Sequence, residues 1–516
     1  MTRRVWDLPV IWVALATAVG LFYLAVSAWG YGYLGFPLDD AWIHQTYARN
    51  LAELGQLAFT PGTPSAGSTA PLWTLLLSAG YWLGLPFKPW TYGLGILCLG
   101  LTGWTAHRLA GRLFSDRPGL GVWVGLFCLC EWHLVWAAVS GMETLLFGWL
   151  ALALVERYLA ANPPALSWRQ AAAVGLLGGL LILTRPEGLG LVGLVGLDLA
   201  RRWRQAHRPG FGGLGGRELA LAAGAALLLL PYVWFHLRLT GRPFPTTFYA
   251  KQAEYAQVLN NFPLWWRLFG GFGRPVETVQ GVFRVIFIGP QILLLPGLVY
   301  AGWLTFKERR LELGLVWLWW VGYLLLYGLR LPVTYQHGRY QMPAIVWVVL
   351  LGVWGTARLV ANSRRAGLGR RVVSRALVAA LGLLLALFSV IGAQTYARDV
   401  RFIETEMVAT ARWLNANTAP NALIAAHDIG AIGYFARRPL IDLAGLVTPQ
   451  VIPIITNEPA LWQFIRSSRA DYLVTFPGWY PQLVANPALA RQFATDSPWS
   501  PQAGGENMVV YRIVYP

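Results

Sequence analysis

Apolar stretches of about 20 residues, each long enough to cross a ~30 Å hydrocarbon core as a helix, recur from Val10 to Ala393 with short polar or basic connectors between them. This spacing predicts an all-α polytopic membrane domain over 1–395, with a first outer loop at 31–90. From about Tyr396 the apolar runs shrink to strand length, at Ala422–Ala426, Leu440–Leu443, Tyr472–Phe476 and Met508–Val514. Helical segments such as Glu404–Ala416 fall between them, which predicts a small α/β domain over 396–516, roughly 120 residues.

Composition agrees. Of the 516 residues, 56% are hydrophobic and 13% charged, about half the charged share of an ordinary soluble domain. The formal charge of +17 does not indicate a nucleic-acid partner. The basic residues form short clusters between apolar stretches, the pattern that orients membrane proteins with positive loops inside. Cys98, Cys128 and Cys130 all lie in apolar segments, so neither a disulfide framework nor a metal-ligand spacing follows. The first stretch, Pro9–Gly30, follows Thr2-Arg3-Arg4 but is long and lacks a small-residue cleavage site, so it reads as a retained helix.

Placing the basic connectors Arg108–Arg117, Arg201–Arg217, Lys307–Arg310 and Arg364–Arg375 in the cytoplasm with the N-terminus fixes the topology. Pro9–Gly30 then runs outward and Thr91–Ala110 inward, with Pro71–Leu85 as a juxtamembrane or partly embedded outer-leaflet helix between them. Leu120–Val139 goes out and Leu145–Leu159 returns. Ala171–Thr184 and Leu189–Ala200 form a hairpin whose Arg185-Pro186-Glu187-Gly188 tip is sunk in the outer leaflet, where irregular backbone is tolerated only beside protein or water. Leu219–Leu239, Val282–Phe306, Leu311–Leu329, Ala344–Val360 and Ala376–Ala393 complete about eleven crossings with the C-terminus outside. Every motif-like polar loop then faces the extracytoplasmic side of the cell (inner) membrane.

Chemistry-bearing residues collect on that side. Asp39 and Asp40 stand together at a helix exit, either as caps for the next helix or with one as a general base facing a cavity; their position favours the base. His44 and Arg49 follow within three turns, and Ser68 and Thr69 lie farther along the same loop. Glu143 sits in the Gly141–Thr144 turn. Arg185 and Glu187 are ionisable groups at membrane depth, which are functional by default or else a mutual ion pair. The loop Pro243–Lys251 carries Tyr249 and Lys251, and Tyr335–Pro343 carries His337, Arg339 and Tyr340. These cations suit a phosphate, for which Arg offers a two-pronged donor, with snorkelling as the alternative. Asp428 and Asp442 end two predicted strands, as ligand groups or turn caps. No Gly-rich nucleotide-binding loop ending in Lys-Ser/Thr is present, so a donor delivered by lipid fits better than a nucleotide sugar.

The order Asp-Asp, Ala-Arg-Asn, Pro-Leu-Trp, Gly-Met-Glu-Thr, Arg-Pro-Glu-Gly, Pro-Thr-Thr-Phe-Tyr-Ala-Lys, Arg-Tyr-x-x-Pro and Asp-Ile-Gly-Ala-Ile-Gly resembles the C-type (GT-C) glycosyltransferases that use polyprenyl-phosphate sugars. It most resembles the branch with cell-wall arabinofuranosyltransferases, and more distantly is similar to the protein mannosyltransferases and aminoarabinose transferases. The resemblance implies an inverting transfer onto an envelope glycan, lipid or protein acceptor. It makes Asp40, followed at the family's spacing by Ala48-Arg49, the first choice for the base and Asp39 the second. It implies substrate-binding roles for His44, Arg49, Glu143, Arg185, Glu187, Tyr249, Lys251, His337, Arg339 and Tyr340. Where many relatives have Asp-Glu, Ala41 follows Asp40 here, so that glutamate's role does not transfer. The Asp-x-Asp metal motif of oligosaccharyltransferases is missing from the Gly141–Thr144 turn, so the lipid-linked sugar is the one cofactor-like partner expected, without a divalent metal.

Two other functions fit a polytopic chain. A transporter or flippase of lipid-linked sugars is expected to show inverted repeats and midplane charges, which are not evident. A non-catalytic assembly protein has no reason to gather Asp40, Arg185, Glu187, His337 and Arg339 on one side.

Overall fold

The computed structural model describes residues 5–117, 119–206, 215–270, 280–363 and 367–515. Thr2-Arg3-Arg4 and parts of the Arg201–Arg217 and Arg364–Arg375 connectors lie outside the described residues.

The N-terminal three quarters is helical. Its main helices are α1 (Pro9–Ala25, carried on by a π turn at Val26–Gly30), α2 (Asp40–Leu54), α3 (Pro71–Trp82), α4 (Phe87–Leu113), α5 (Leu120–Cys130), α6 (Trp132–Ala138), α7 (Thr144–Ala160), α8 (Trp168–Thr184), α9 (Gly188–Ala206), α10 (Gly216–Thr240), α11 (Thr246–Glu254), α12 (Leu295–Lys307), α13 (Leu311–Arg330), α14 (Met342–Ser363) and α15 (Leu368–Ile403). Among the described residues, five helices are long and apolar enough to cross a membrane, or six when the bent pair α5–α6 counts as one. The protein is thus a multi-pass membrane protein. Length and composition alone do not supply eleven spans: α7 and α8 have 17 residues each and α12 has 13.

Local chemistry explains the breaks. Leu120–Val139, expected as one span, bends by 60° between α5 and α6, where buried Glu131 accepts the Leu134 backbone N–H at 3.0 Å and starts a new helix. Val282–Phe306, also expected as one crossing, has a single helical turn at Val282–Val285 and is continuously helical only from Leu295. Gly289 has φ +153° and opens a short 3-10 turn at Pro290–Leu294, so the first half is irregular. Pro243–Lys251 is not a loop throughout: Pro245 leads into α11, which carries Tyr249 and Lys251. The Arg185–Glu187 tip between α8 and α9 forms the expected hairpin turn.

α15 continues without interruption past Tyr396, through a π turn at Glu404–Val408 and into α16 (Ala409–Asn417). A small antiparallel pair, β1 (Ala58–Thr60) with β2 (Thr63–Pro64), lies between α2 and α3. Beyond α16 lies a five-stranded sheet of order β4-β3-β5-β7-β6, where β3 is Ile424–Ala426, β4 Leu440–Asp442, β5 Tyr472–Thr475, β6 Leu489–Ala494 and β7 Val509–Ile513. β3 is parallel to β4 and β5, whereas β7 is antiparallel to β5 and β6. Four strands fall on the apolar runs of the sequence. β6 was not expected, because its Leu-Ala-Arg-Gln-Phe-Ala sequence carries no clean two-residue alternation. Ile424 and Ala426 join the same core as Trp42, Trp136 and Trp347. Ala425, on the opposite face of β3, packs with Leu461 and Ile465 of α17 (Glu458–Ser467). The sheet is therefore seated directly on the helical part.

Candidate active site

α2 begins where the chain leaves the first apolar helix, and its first turn presents Asp40. Asp39 occupies the cap position but makes no side-chain cap to α2. Its buried carboxylate instead receives the backbone N–H groups of Gly430 (2.6 Å) and Ala431 (2.8 Å), joining the segment between α1 and α2 to the turn after β3. A Cβ on Gly430 would stand 2.0 Å from the Asp39 carbonyl oxygen, and one on Gly433 2.3 Å from the Phe59 ring. The two glycines of the Asp-Ile-Gly-Ala-Ile-Gly motif are thus accounted for by close packing. Burial pushes the Asp39 carboxyl up to about 7, against the pull of its two backbone donors.

Asp40 faces the opposite way, into a cavity of about 700 Å³. Arg339 Nη1 donates to Asp40 Oδ2 at 2.9 Å and Arg339 Nη2 to the Tyr340 hydroxyl at 2.9 Å. The Arg339 side chain is 4% exposed and Asp40 30%. Burial works to raise Asp40, but the charge and hydrogen bond of Arg339, helped by Lys251 and His44, hold it at about 2. One turn along α2, His44 Nε2 stands 3.2 Å from Glu143 Oε2. Arg185 Nη1 donates to Glu143 Oε1 at 2.7 Å, and Arg185 Nη2 to Glu187 (3.2 Å) and to the Tyr327 hydroxyl (3.0 Å). Burial tends to raise Glu143, yet His44 and Arg185 hold it at about 2. Lys251 Nζ pairs with Glu254 at 2.9 Å.

This cavity brings together Asp40, His44, Glu143, Arg185, Glu187, Lys251, Arg339 and Tyr340, with Ser68 and Thr69 of the loop between α2 and α3. Much of its remaining wall is apolar, from Leu189, Leu194, Phe244, Phe248, Leu318 and Leu326 among others. Asp39, Arg49, Tyr249 and His337 are not in its lining. Buried Arg49 donates to the Tyr434 carbonyl at 2.8 Å and lies over that ring. Tyr249 packs under the Arg242 guanidinium. His337, expected beside Arg339 as a phosphate cation, is turned away by left-handed backbone at Gln336 and His337 (φ +51° and +59°). Its Nε2 pairs with Asp399 at 2.8 Å. Asp442 is a turn cap, accepting from Ala444 and Val447 at 2.8 Å each.

Arg330 was missed by the sequence reading. It ends α13 and lines the cavity, and among the described residues it has no ion pair. A cation at the end of an apolar helix, a few residues before the Tyr335–Pro343 motif, was the available signal. Among the described residues no group of three or more His, Cys, Asp or Glu side chains is placed to hold a metal ion.

A domain of unknown function (DUF8728) matches residues 394–511. No curated protein matches the sequence. ArnT from Cupriavidus metallidurans bound to undecaprenyl phosphate is similar with a TM-score of 0.58 at 15% identity, over 98% of this chain and 99% of that one. The Archaeoglobus fulgidus oligosaccharyltransferase tethered with an acceptor peptide is similar with a TM-score of 0.58 at 11% identity, over 90% of this chain and 69% of that one. Arabinofuranosyltransferase AftD from Mycobacteria gives 0.48 at 16% identity, over 98% of this chain and 40% of that one. The structural neighbours are GT-C glycosyltransferases, and the chain has the GT-C fold.

Proposed function

We propose that the protein is an inner-membrane glycosyltransferase that moves a sugar from a polyprenyl phosphate to an extracytoplasmic acceptor. The observation that carries this reading is the Asp40–Arg339 pair, set in an apolar cavity that also holds Arg185, Lys251 and Arg330. A carboxylate, several cations and a greasy wall together suit a substrate with an isoprenoid tail, a phosphate and a sugar.

In the proposed reaction the acceptor oxygen attacks the anomeric carbon as the bond from that carbon to the phosphate oxygen breaks. The electron pair leaves on polyprenyl phosphate, and the acceptor proton passes to Asp40. Arg339 and Arg330 stabilise the leaving phosphate. Glu143 and Glu187 hold Arg185 against the cavity wall and offset its charge. The neighbour ArnT was solved with undecaprenyl phosphate bound, which favours the same class of donor. The proposed topology has about eleven crossings, with Asp40 and the sheet outside. A shared cavity for Asp40, Arg185, Glu187 and Arg339 also disfavours an assembly protein with no reaction to perform.

The test is incubation of the purified protein with a panel of polyprenyl-phosphate sugars, reading release of free polyprenyl phosphate. Release by the wild type and its loss in Asp40→Asn support the reading; equal release by both would remove Asp40 from it.

A further inference from the structure

Asp40 lines two cavities. The second, of about 240 Å³, lies on the side toward the sheet and is walled by Gln336, His337, Asp399, Asp428 and Trp479 as well as Asp40. We propose that this chamber is the acceptor subsite, and that it takes an uncharged, hydroxyl-rich group such as the end of a glycan, with His337 fixing the attacking hydroxyl. The inference rests on the transferase reading above.

Position comes first. In an inverting displacement the nucleophile approaches opposite the leaving group, so the acceptor must reach Asp40 from a side that the donor phosphate does not occupy. The smaller chamber gives that approach. Its volume is below the roughly 300–1,000 Å³ of sites for drug-sized ligands, which suits one or two sugar rings and not a lipid headgroup with its chains.

The lining sets the class. The chamber is lined by Asp39, Asp40, Asp399 and Asp428 and by no described Lys or Arg. Burial, with Asp39 and Asp40, holds the Asp428 carboxyl well above its usual range. Nothing in the lining offsets the charge of a phosphate or uronate, whereas carboxyl and imidazole groups beside an indole match the hydroxyls and C–H bonds of a sugar. Asp428 Oδ2 and Gln336 Oε1 are buried and have no hydrogen-bond partner among the described residues. A buried polar atom without a partner is costly, and a ligand hydroxyl would satisfy either one. Asp428 and Trp479 both come from the sheet-bearing part, which thereby gains a role in acceptor recognition.

His337 is the most constrained member. Asp399 Oδ2 holds its Nε2 at 2.8 Å and also accepts Trp136 Nε1 at 2.9 Å. The ring is clamped edge-on by Trp132 and Trp136, at centroid distances of 5.4 and 5.5 Å. The left-handed backbone at Gln336 and His337 is a strained arrangement of the kind that clusters at functional sites. With Nε2 committed to Asp399, Nδ1 is the atom left to hold a hydroxyl.

The experiment uses the full chain in lipid nanodiscs, with mannotriose and arabinotriose as neutral probes and trigalacturonate as the anionic one, read by saturation-transfer NMR. At least one neutral trisaccharide should bind, with trigalacturonate excluded. Trp479→Ala and His337→Gln should each weaken that binding at least tenfold, and Trp479→Phe should restore most of it. Undecaprenyl phosphate affinity should stay within twofold in all three, which also shows that they are folded. Absence of neutral-sugar binding, equal binding by the variants, or preference for trigalacturonate overturns the proposal. If release of polyprenyl phosphate still depends on Asp40 in that case, only the chamber assignment fails; if it does not, the transferase reading fails and takes this inference with it.

Discussion

Asp40 and Arg339, 299 residues apart in the chain, meet through a single hydrogen bond of 2.9 Å. A carboxylate neutralised by a buried guanidinium is a weak base. On the transferase reading proposed above, a donor phosphate in the large cavity would compete for the same guanidinium. Its arrival would free the carboxylate and raise its basicity, making base strength conditional on the donor being bound.

Replacing Asp40 with Asn should therefore lower transfer by about 10²–10⁴-fold, the usual contribution of a general base, without loss of undecaprenyl phosphate binding. Arg339→Gln removes the counterion that holds Asp40 near 2. As the proposed base, Asp40 would act when deprotonated, so activity should fall as pH drops through its pKa. In Arg339→Gln that acid limb should move upward in a profile of kcat/KM against pH, and an unchanged limb would refute the coupling.

Glu143 joins His44 to Arg185, and its side chain is 2% exposed. Glu143→Gln strips one partner from a buried pair, a change that typically costs ~3–5 kcal/mol; Glu187 still holds Arg185, so the lower end is expected. Thermal unfolding of Glu143→Gln, Arg185→Gln and the double variant should show strong coupling. Additive losses would mean that the pair is not a unit.

Arg330 is exposed and has no ion pair among the described residues, so Arg330→Gln should change stability by no more than about 0.5 kcal/mol. It should nevertheless weaken undecaprenyl phosphate binding severalfold and flatten the dependence of that binding on salt. Equal affinity in titrations at low salt would return Arg330 to an interfacial anchor.

Asp39 gives a pH signature of a different sign. Its carboxyl is raised by burial to about 7 in the fold, from 3.8, so the folded state binds more protons than the unfolded one between those values. Its contribution is fully present below about 4 and is lost as pH rises through about 7. The melting temperature should fall from pH 5 to pH 8 in the wild type by more than in Asp39→Asn, as measured by scanning fluorimetry on the two proteins together.

The membrane class, the hairpin at Arg185–Glu187 and four strands were legible because apolar length and two-residue alternation are local properties. Most of the large cavity's polar lining was legible too, since ionisable residues near apolar stretches are few and motif order places them. The errors arose where one backbone angle or a distant partner decides direction. His337 and Arg339 are two residues apart, yet left-handed turns at Gln336 and His337 send them to different cavities. Asp39 and Asp40 are adjacent, and only the contact with Gly430 and Ala431 shows that Asp39 is tied to the turn after β3 while Asp40 pairs with Arg339. Arg330 was passed over because an arginine at a helix end is the commonest interfacial anchor.

Glu406 fastens the helical part to the sheet. It is fully buried and accepts from Asn507 (3.0 Å), the Met508 N–H (2.8 Å) and the hydroxyls of Thr495 and Ser500. Glu406→Ala would leave several donors unsatisfied and should cost about 3 kcal/mol or more. Limited proteolysis should then cut first within 418–515; uniform cleavage along the chain would argue against a local fastening.

The 50-residue helical run Leu368–Asn417 carries both Asp399 and Glu406. At 1.5 Å per residue it is roughly 75 Å long, more than twice a ~30 Å hydrocarbon core. Its apolar half is broadly exposed, with Val373 at 69% and Leu383 at 70%, whereas Tyr396, Ala397 and Val400 around Asp399 are fully buried, so packing against neighbouring helices fixes how the rod stands there. Asp399, and the imidazole it steadies, therefore belong to the packed stretch of the rod and not to its exposed one. Turnover in nanodiscs of short- and long-chain lipids should show the same acceptor KM, and a KM that changes with chain length would mean that the bilayer moves Asp399.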